Sequence, residues 1–249
     1  MIRLLRTLLC CISFGIFGIG GLIVGLIIFP TILLLFRGER QRRILSATIH
    51  HTWGFFIRLL SIQRLISVQS PDYAKFHQLR GQIVIANHPS LLDVVIMVSM
   101  IPKSICVVKE NLFHNFFIGR IVRRIYLSNS MSPDEFLSRG TQYLDEGYNI
   151  IIFPEGTRTI PGRAVHFHRG FAYLQIASRH AITPVHIANH PRILGKDQPW
   201  YDIGACTSVY TLRILPPIMA PVGDTQPSRH MAITISRMAH NTLFPASHT

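Results

Sequence analysis

The sequence predicts an α/β fold, a twisted mixed sheet flanked by helices, preceded by an apolar helical segment. The length of 249 residues suits one such domain with a short appendage. Beyond residue 70, short β-branched runs alternate with helical stretches, which is typical of a sheet covered by helices. Before that point, the 30 residues from Thr7 to Phe36 carry no charge. We therefore divide the chain into N-terminal helices, residues 1–69, and an α/β domain, residues 70–249.

The uncharged segment is long enough to anchor the chain in a membrane. As one helix it would measure about 45 Å, which exceeds the roughly 30 Å thickness of the hydrocarbon core. Five glycines and Pro30 permit close packing or a break, so a re-entrant helix in one leaflet is the alternative to a full span. A cleavable signal peptide is disfavoured because the stretch is too long and lacks an Ala-x-Ala exit. The arginines from Arg37 to Arg43 outnumber those before Thr7, which places the rest of the chain in the cytoplasm.

A second apolar stretch, residues 43–66, follows this basic cluster. It combines Trp53 and other large apolar side chains with Arg58 and Arg64. This composition suits a helix lying in the membrane interface. Its polar face is thin, so a helix buried in the core is a close alternative.

The α/β region contains short β-branched runs that predict strands, separated by stretches with helical periodicity. We expect strands near Ile83–Ala86, Ile105–Val108, Asn149–Phe153, Thr183–Ile187 and Val209–Ile214. We expect helices at Ser90–Ser99, Asn115–Arg124, Pro133–Glu146, Gly170–Ser178 and Ser228–Asn241. Proline-rich segments at 216–217 and 221–227 should form loops.

Charge and hydropathy together favour a membrane surface as a partner. Twenty-five Lys and Arg residues against 12 Asp and Glu give a net charge of +13, while 48% of the residues are hydrophobic. Nucleic acid is the usual rival partner for so basic a chain, but no nucleic-acid-binding motif is present, and we expect no such partner. Positive charge that only keeps the protein soluble is the plain alternative.

Cysteine and histidine usage predicts neither a disulfide framework nor a metal site. The four cysteines are few and irregularly spaced, which fits a reducing cytosolic face. His50 and His51 are adjacent, and His166 and His168 form a His-x-His pair, but no nearby Cys or carboxylate cluster completes a tetrahedral site.

Two compact motifs carry the chemistry. NHPSLLD (residues 87–93) and FPEGTR (residues 153–158) each follow an apolar run. Pro89 fits the first turn of a helix, so His88 would project from that turn and Asp93 from one turn deeper. A carboxylate on one imidazole nitrogen leaves the other nitrogen to remove a proton from an attacking hydroxyl. His88 is therefore the candidate general base and Asp93 its orienting partner.

The second motif suits a phosphate-bearing acceptor. Glu155 and Arg158 lie past the end of a strand, at the edge where α/β sheets usually place ligands. Gly156 permits close backbone approach, and Thr157 offers a hydroxyl and an N–H. A solvated Glu and Arg in a tight turn is the alternative. Together the motifs predict acyl transfer to a hydroxyl, with backbone N–H groups stabilising the oxyanion.

The ordered pair of motifs resembles the glycerophospholipid acyltransferase family, whose best-known bacterial members acylate 1-acylglycerol-3-phosphate. The likeness runs from about residue 82 to about residue 188, with VVKE (107–110) and Gly119 similar to the family's second motif and ITPV (182–185) similar to its fourth. The resemblance implies that FPEGTR binds the glycerol phosphate of the acceptor, with Arg158 making a forked contact. It adds Lys109 as a substrate-binding candidate because the family's second motif has a basic residue there.

The resemblance implies a membrane-associated O-acyltransferase. It would move a fatty acyl group from an acyl carrier protein or coenzyme A thioester to a lysophospholipid, above all 1-acyl-sn-glycerol-3-phosphate, giving phosphatidic acid. The thioester is a co-substrate, and no cofactor is required. Together with the charge asymmetry, this places the protein at the inner (cytoplasmic) membrane, with its catalytic domain on the cytoplasmic side.

Departures from the family pattern leave the acceptor open. Asn115 stands where proline is common, Thr159 and Ile160 replace a serine and a basic residue, and His168 replaces a lysine. Another lipid acceptor, one that does not give phosphatidic acid, is therefore an alternative.

Two other classes of function are alternatives as well. A non-catalytic lipid-binding scaffold would keep the basic, apolar surface without consuming thioester. A lipase-like hydrolase, or transfer through a covalent acyl-Ser90, would need an activated serine. No Gly-x-Ser-x-Gly elbow is present, and Ser90 is better suited to a helix start.

Overall fold

A seven-stranded sheet runs through the computed structural model, which describes residues 2–108, 126–220 and 228–245. The strands in chain order are β1 Ile66–Gln69, β2 Ile83–Ala86, β3 Ser104–Val108, β4 Leu127–Ser128, β5 Asn149–Ile152, β6 Ile182–His190 and β7 Ser208–Ile214. They lie side by side in the order β1-β7-β6-β2-β5-β3-β4. Strands β6 and β7 pair antiparallel and the other neighbours pair in parallel, so the predicted mixed sheet is confirmed.

Helices flank this sheet, as predicted. In chain order those of the described residues are α1 Ile2–Ile23, α2 Phe29–Leu35, α3 Gly38–Ile62, α4 Tyr73–Gln78, α5 Asp93–Met100, α6 Pro133–Asp145, α7 Gly170–Ser178 and α8 Arg229–Leu243. Side-chain caps begin two of them: Ser132 accepts from the N–H of Glu135 at the start of α6, and Ser228 accepts from the N–H of Met231 at the start of α8. Such caps satisfy backbone donors that a helix N-terminus leaves unpaired.

The central strands β2 and β5 consist mostly of isoleucine and valine, and every residue in them is buried. Parallel strands covered on both faces appear in a sequence as continuous apolar runs. Both strands were therefore predictable, and their observed bounds differ from the prediction by at most one residue. Their carboxyl ends lead directly into the two motifs.

The structure differs from the prediction at several elements. Strands β1 and β4 were not expected, since four and two residues are too few to show a period. Helix α5 begins at Asp93 and not at Ser90, because Ser90 and the two residues after it form a turn around the Asp93 carboxylate. The predicted helix Asn115–Arg124, the predicted loop 221–227 and Lys109 lie outside the described residues.

The N-terminal helices form one apolar run that folds back on α3. Helix α1 continues through a π-helical turn, Val24–Ile28, into α2, and the chain reverses at residues 36–37. The rings of Phe17 and Phe56 then stack with centroids 4.2 Å apart. The run Ile2–Leu35 is long and apolar enough to cross a membrane, and many of its large apolar side chains are exposed.

One face of α3 belongs to the core of the α/β domain. Ile49 and Phe56 are buried, and His50 Nδ1 lies 2.8 Å from the carbonyl oxygen of Val98 in α5. The buried-helix interpretation therefore holds for this face, whereas contact of the opposite face with lipid stays a prediction. The sheet itself begins at Ile66, four residues before the boundary that we drew from the sequence.

Candidate active site

The two predicted motifs meet at one edge of the sheet. Strands β2 and β5 are parallel neighbours, with Ile85 beside Ile152, so the segments that follow them leave the sheet side by side at its carboxyl edge. The N–H of Thr159 donates to the carbonyl oxygen of His88 at 2.7 Å. The His88 ring also packs on Phe153, with centroids 4.4 Å apart. The site is therefore formed by two loops in direct contact.

His88 and Asp93 form the pair that their spacing predicts. His88 Nδ1 lies 2.9 Å from Asp93 Oδ2, and Asp93 is fully buried as the first residue of α5. Ser90 adds two hydrogen bonds to the same carboxylate: its N–H donates to Oδ2 at 2.7 Å and its hydroxyl to Oδ1 at 3.0 Å. Burial raises the pKa of Asp93, while the donors of His88 and Ser90 oppose that rise by stabilising the carboxylate.

This arrangement selects the tautomer of His88. A carboxylate only accepts hydrogen bonds, so Nδ1 carries the proton that faces Asp93. Nε2 then keeps its lone pair. The His88 side chain is 16% exposed, which lets this nitrogen meet a hydroxyl entering the site. The imidazole is thus equipped as a general base.

Asn87 fixes the start of the loop that carries His88 to strand β6. Its side-chain NH₂ donates to the carbonyl oxygen of Ile187 at 2.8 Å, and its side-chain oxygen accepts from the Ile187 N–H at 2.7 Å. The amide thus reproduces the hydrogen-bond pair of a strand partner just past the end of β2. Because Asn87 is buried, both bonds form away from water, and they fix the direction in which the chain continues to His88.

Glu155 fastens the second loop to the first. Its Oε1 accepts from the backbone N–H of His88 at 3.0 Å and from the hydroxyl of Thr159 at 2.9 Å. Burial raises the pKa of Glu155, and the hydroxyl and N–H donors oppose the rise. These contacts give Glu155 a positioning role at His88. Its predicted role in binding the acceptor stays a prediction.

Arg158 lies beside the loop that carries His88 and binds the segment that follows β6. Its Nη1 donates to the carbonyl oxygens of Leu194 at 2.9 Å and Gly195 at 3.0 Å. The N–H of Leu91, three residues after His88, donates to the same Leu194 oxygen at 3.0 Å. A guanidinium has five N–H donors, so this contact uses only part of its capacity.

Gly156 occupies a position that needs glycine. Its φ is +62°, and a Cβ there would lie 3.0 Å from two atoms of the His168 ring. His168 thus packs against the FPEGTR turn, and its backbone N–H donates to the Pro154 carbonyl oxygen at 2.8 Å. Thr157 is half-buried in the same turn, and Lys109 lies outside the described residues.

Ser90 is enclosed behind the His88–Asp93 pair. It is fully buried, its hydroxyl proton is directed at Asp93, and its oxygen accepts from the N–H of Leu92 at 3.1 Å. The Tyr210 hydroxyl lies a further 3.0 Å from the same oxygen. These contacts place Ser90 in the turn before α5 and not at the helix start where we expected it. They also leave its oxygen without a path to a substrate carbonyl.

Three residues whose side chains contact the two loops received no role from sequence reasoning: Asn87, Thr159 and Tyr210. Asn87 and Thr159 adjoin the motifs, so their place in the sequence was a signal. Tyr210 lies 120 positions from Ser90 and carried no such signal.

No metal site is found in the part of the chain that the structure describes. Its His, Cys, Asp and Glu residues form no group of three or more that could hold an ion. His50, one of the paired histidines, faces the Val98 carbonyl oxygen, and burial lowers its pKa. His50 thus packs α3 against α5.

Comparisons with known proteins assign a family to the segment that carries both motifs. A protein-family model described as Acyltransferase matches residues 67–188, which include both motifs. The chain is 31% identical over 110 residues to a 1-acyl-sn-glycerol-3-phosphate acyltransferase from Cocos nucifera, covering 41% of this chain and 36% of that protein. It is 22% identical over 173 residues to the beta form from Homo sapiens, covering 66% of this chain and 61% of that protein. The chain thus spans less than two thirds of the length of these relatives.

A solved structure shares the whole fold. The crystal structure of the 1-acyl-sn-glycerophosphate (LPA) acyltransferase PlsC from Thermotoga maritima aligns with a TM-score of 0.69 over 100% of both chains, at 18% sequence identity. At that identity the likeness establishes the architecture, and the family-model match covers the segment that carries the His88–Asp93 pair and the FPEGTR loop. The segment of residues 67–188 therefore belongs to the acyltransferase family.

Proposed function

We propose that the protein moves a fatty acyl group from an acyl carrier protein or coenzyme A thioester to the hydroxyl of 1-acyl-sn-glycerol-3-phosphate, giving phosphatidic acid. The observation that carries this proposal is the buried Asp93 beside His88 Nδ1, at the sheet edge where the Arg158 guanidinium also lies. The names of the coconut and human relatives support this acceptor.

In this mechanism the acceptor attacks the thioester directly. His88 Nε2 removes the proton of the acceptor hydroxyl while its oxygen bonds to the thioester carbonyl carbon. The tetrahedral intermediate then collapses, the C–S bond breaks, and the leaving thiolate takes the proton from the imidazolium. The Asp93 carboxylate stabilises that imidazolium between the two steps. We assign the stabilisation of the developing oxyanion to backbone N–H groups.

An acyl-enzyme on Ser90 is disfavoured in this proposal. A nucleophile must expose its oxygen to the substrate, and Ser90 is fully buried with its proton on Asp93. We expect a fluorophosphonate probe, which labels activated serines, to leave the purified protein unmodified. Labelling at Ser90 would favour a hydrolase-like mechanism.

Acceptor binding is assigned to the FPEGTR turn. Arg158 is the phosphate ligand, through the guanidinium donors that Leu194 and Gly195 do not use. Gly156, whose own N–H donates to the Phe153 carbonyl oxygen, permits close backbone approach of the acceptor. Thr157 presents an N–H and a hydroxyl on the same turn, and Glu155 keeps the turn against His88. We include Lys109 as a further cation for the acceptor.

The proposed location is the inner membrane, with the α/β domain on the cytoplasmic side. Support comes from the run Ile2–Leu35, whose outward side chains include Leu4 at 76% and Leu34 at 82% exposure. The basic residues after this run favour the cytoplasmic side. A lysolipid in the leaflet and a soluble thioester would then meet at the carboxyl edge of the sheet.

A panel assay tests the proposal. The full-length protein in detergent is incubated with acyl carrier protein and coenzyme A thioesters and with lysolipids that differ in head group, and products are identified by mass spectrometry. We expect phosphatidic acid from 1-acyl-sn-glycerol-3-phosphate and no product from His88→Ala, with the same far-UV circular dichroism for both proteins.

The other outcomes separate the alternatives. If only a different lysolipid were acylated, the proposed acceptor would be wrong and the proposed chemistry would stand. Binding to lipid vesicles with no thioester consumed would support a lipid-binding scaffold. Full turnover by His88→Ala would remove His88 from the mechanism.

A further inference from the structure

We infer that Tyr210 is a positioning residue of the acyl-transfer site, which acts on the His88–Asp93 pair through the hydroxyl of Ser90. The inference rests on the proposed function, since it assigns a role within that reaction. Tyr210 lies on β7, the antiparallel neighbour of β6, and belongs to neither motif.

The three linked side chains are all sealed from solvent. Tyr210, Ser90 and Asp93 each have 0% exposure. The Tyr210 Oη lies 3.0 Å from Ser90 Oγ, and Ser90 Oγ lies 3.0 Å from Asp93 Oδ1. A buried tyrosine hydroxyl normally needs a partner, and this one has two: the Ser90 hydroxyl, in the turn that holds His88 and Asp93, and the Asn189 side chain.

The direction of each hydrogen bond follows from counting protons. Ser90 has one hydroxyl proton, and the Asp93 carboxylate has none to offer, so Ser90 donates to Asp93. Tyr210 must then donate to Ser90, whose second lone pair accepts from the N–H of Leu92. Burial raises the pKa of Tyr210, which keeps the hydroxyl in the donating form.

The hydrogen bonds therefore run in one direction: Tyr210 donates to Ser90, and Ser90 donates to Asp93. A hydroxyl that receives a hydrogen bond is a better donor, so Tyr210 strengthens the bond from Ser90 to Asp93 Oδ1. The other oxygen of Asp93, Oδ2, faces His88. The plane of the carboxylate, and with it the orientation of the imidazole, is therefore fixed from the side opposite the substrate.

The expected effect falls on turnover and not on substrate binding. Tyr210→Phe removes one oxygen and leaves the ring in the core. Ser90 then loses a donor and can turn its proton, so the Asp93 carboxylate is held by fewer fixed bonds. We expect kcat to fall about 3- to 30-fold with both KM values within about twofold of wild type, because Arg158 and its loop are untouched.

Tyr148 provides the matched control. It is also a fully buried tyrosine, and its hydroxyl has no partner among the described residues. Tyr148 directly precedes β5, at the opposite end of that strand from the FPEGTR motif. Tyr148→Phe removes the same atom from the core without touching the site, so kcat should stay within about twofold of wild type.

A double variant tests whether Ser90 transmits the effect. If Tyr210 acts through Ser90, adding Tyr210→Phe to Ser90→Ala should change kcat no further. Multiplied losses in the double variant would show an independent action and would overturn the inference. An unchanged kcat in Tyr210→Phe, or an equal loss in Tyr148→Phe, would overturn it as well.

A spectroscopic measurement makes the test independent of turnover. The proton of His88 Nδ1 on a carboxylate should give a low-field NMR resonance in protein labelled with ¹⁵N-histidine. We expect this resonance to shift in Tyr210→Phe and not in Tyr148→Phe. A wild-type protein that acylates no lysolipid would contradict the proposed function, whereas an unmoved resonance would contradict the role of Tyr210.

Discussion

At the residue scale, the Asp93 carboxylate combines hydrogen bonding with charge, and the two can be separated. Asparagine at this position can still accept from His88 and from the Ser90 N–H through its side-chain oxygen, so the bond to the imidazole survives. Its NH₂ faces the Ser90 hydroxyl, which must turn its proton towards Tyr210 to accept from it. The charge that stabilises the imidazolium is lost. We expect Asp93→Asn to lower kcat by about 10³-fold with little change in secondary structure, as measured by steady-state kinetics and circular dichroism.

A matched aspartate controls for that substitution. Asp145 also contacts a histidine, His180, but its side chain is 64% exposed and it lies outside the site. Asp145→Asn should keep wild-type kcat. If Asp93→Asn retained more than a tenth of the wild-type kcat, the carboxylate would not be the partner of the base.

Arg158 binds two backbone carbonyl oxygens and, in our proposal, the acceptor phosphate. A lysine cannot make both sets of contacts. The guanidinium holds the Leu194 and Gly195 carbonyl oxygens through Nη1 and has further donors for a phosphate. A lysine ammonium is a single point charge without the fork. We expect Arg158→Lys to raise the acceptor KM about tenfold and leave the donor KM unchanged, as measured with each substrate varied in turn.

Arg139, which pairs with Glu135 on α6, offers the same substitution outside the site. Arg139→Lys should leave both KM values unchanged. Equal rises of the donor and acceptor KM in Arg158→Lys would contradict a phosphate role.

At the element scale, the joint between β2 and β6 depends on the Asn87 amide. Asn87→Ala leaves the buried N–H and C=O of Ile187 without partners, whereas Asn87→Asp keeps the acceptor and loses the donor. We expect Asn87→Ala to lower the free energy of unfolding by about 1–3 kcal/mol and to reduce kcat, because the loop carrying His88 loses its fixed start. Urea denaturation measures the first effect, and unchanged midpoints in both variants would contradict the proposed joint.

The end of β7 is tied to α4 by Asp72. Its two oxygens accept from Lys75 Nζ at 2.8 Å and from the N–H of Ile214 at 3.0 Å, and these donors lower the pKa of Asp72. A carboxyl with a lower pKa in the folded chain stabilises the fold above its ordinary pKa, about 4, and loses that contribution as the pH falls through its native pKa. We expect Asp72→Asn to destabilise the protein at pH 7 and to have little effect near pH 2.5. Urea midpoints at the two pH values measure this, and an equal loss at both would contradict it.

Some elements could be predicted from the sequence, and others could not. The strands β2 and β5 are continuous apolar runs, and the motifs follow them directly, so the meeting of His88, Asp93 and Arg158 at one edge could be predicted. Strands β1 and β4 are too short to show a period. The bonds from Asn87 to Ile187 and from Ser90 to Tyr210 join positions 100 and 120 residues apart. They depend on which strands become neighbours, which local periodicity does not reveal.

At the scale of the whole molecule, the N-terminal helices and the α/β domain are joined by several contacts. The Arg6 guanidinium on α1 donates to four carbonyl oxygens, at 2.7 to 3.4 Å, just before the starts of β1 and β7: Arg64, Leu65, Gly204 and Cys206. Further along α1, Phe14 packs edge-on against Trp200 and Phe56. Helix α1 is thus held in a fixed position relative to the sheet.

Arg6 therefore has a structural effect that its charge alone does not explain. We expect Arg6→Ala to lower the free energy of unfolding by about 1–2 kcal/mol and to speed proteolysis between residues 36 and 66, because α1 loses its bonds to the sheet while keeping its apolar surface. Arg3→Ala removes the same charge from an exposed position and should change neither. Both variants should still bind vesicles of anionic lipid. If thermal denaturation and limited proteolysis gave the same result for the two variants, the N-terminal helices would be a flexible tether on a separate domain and would not fix the position of the site.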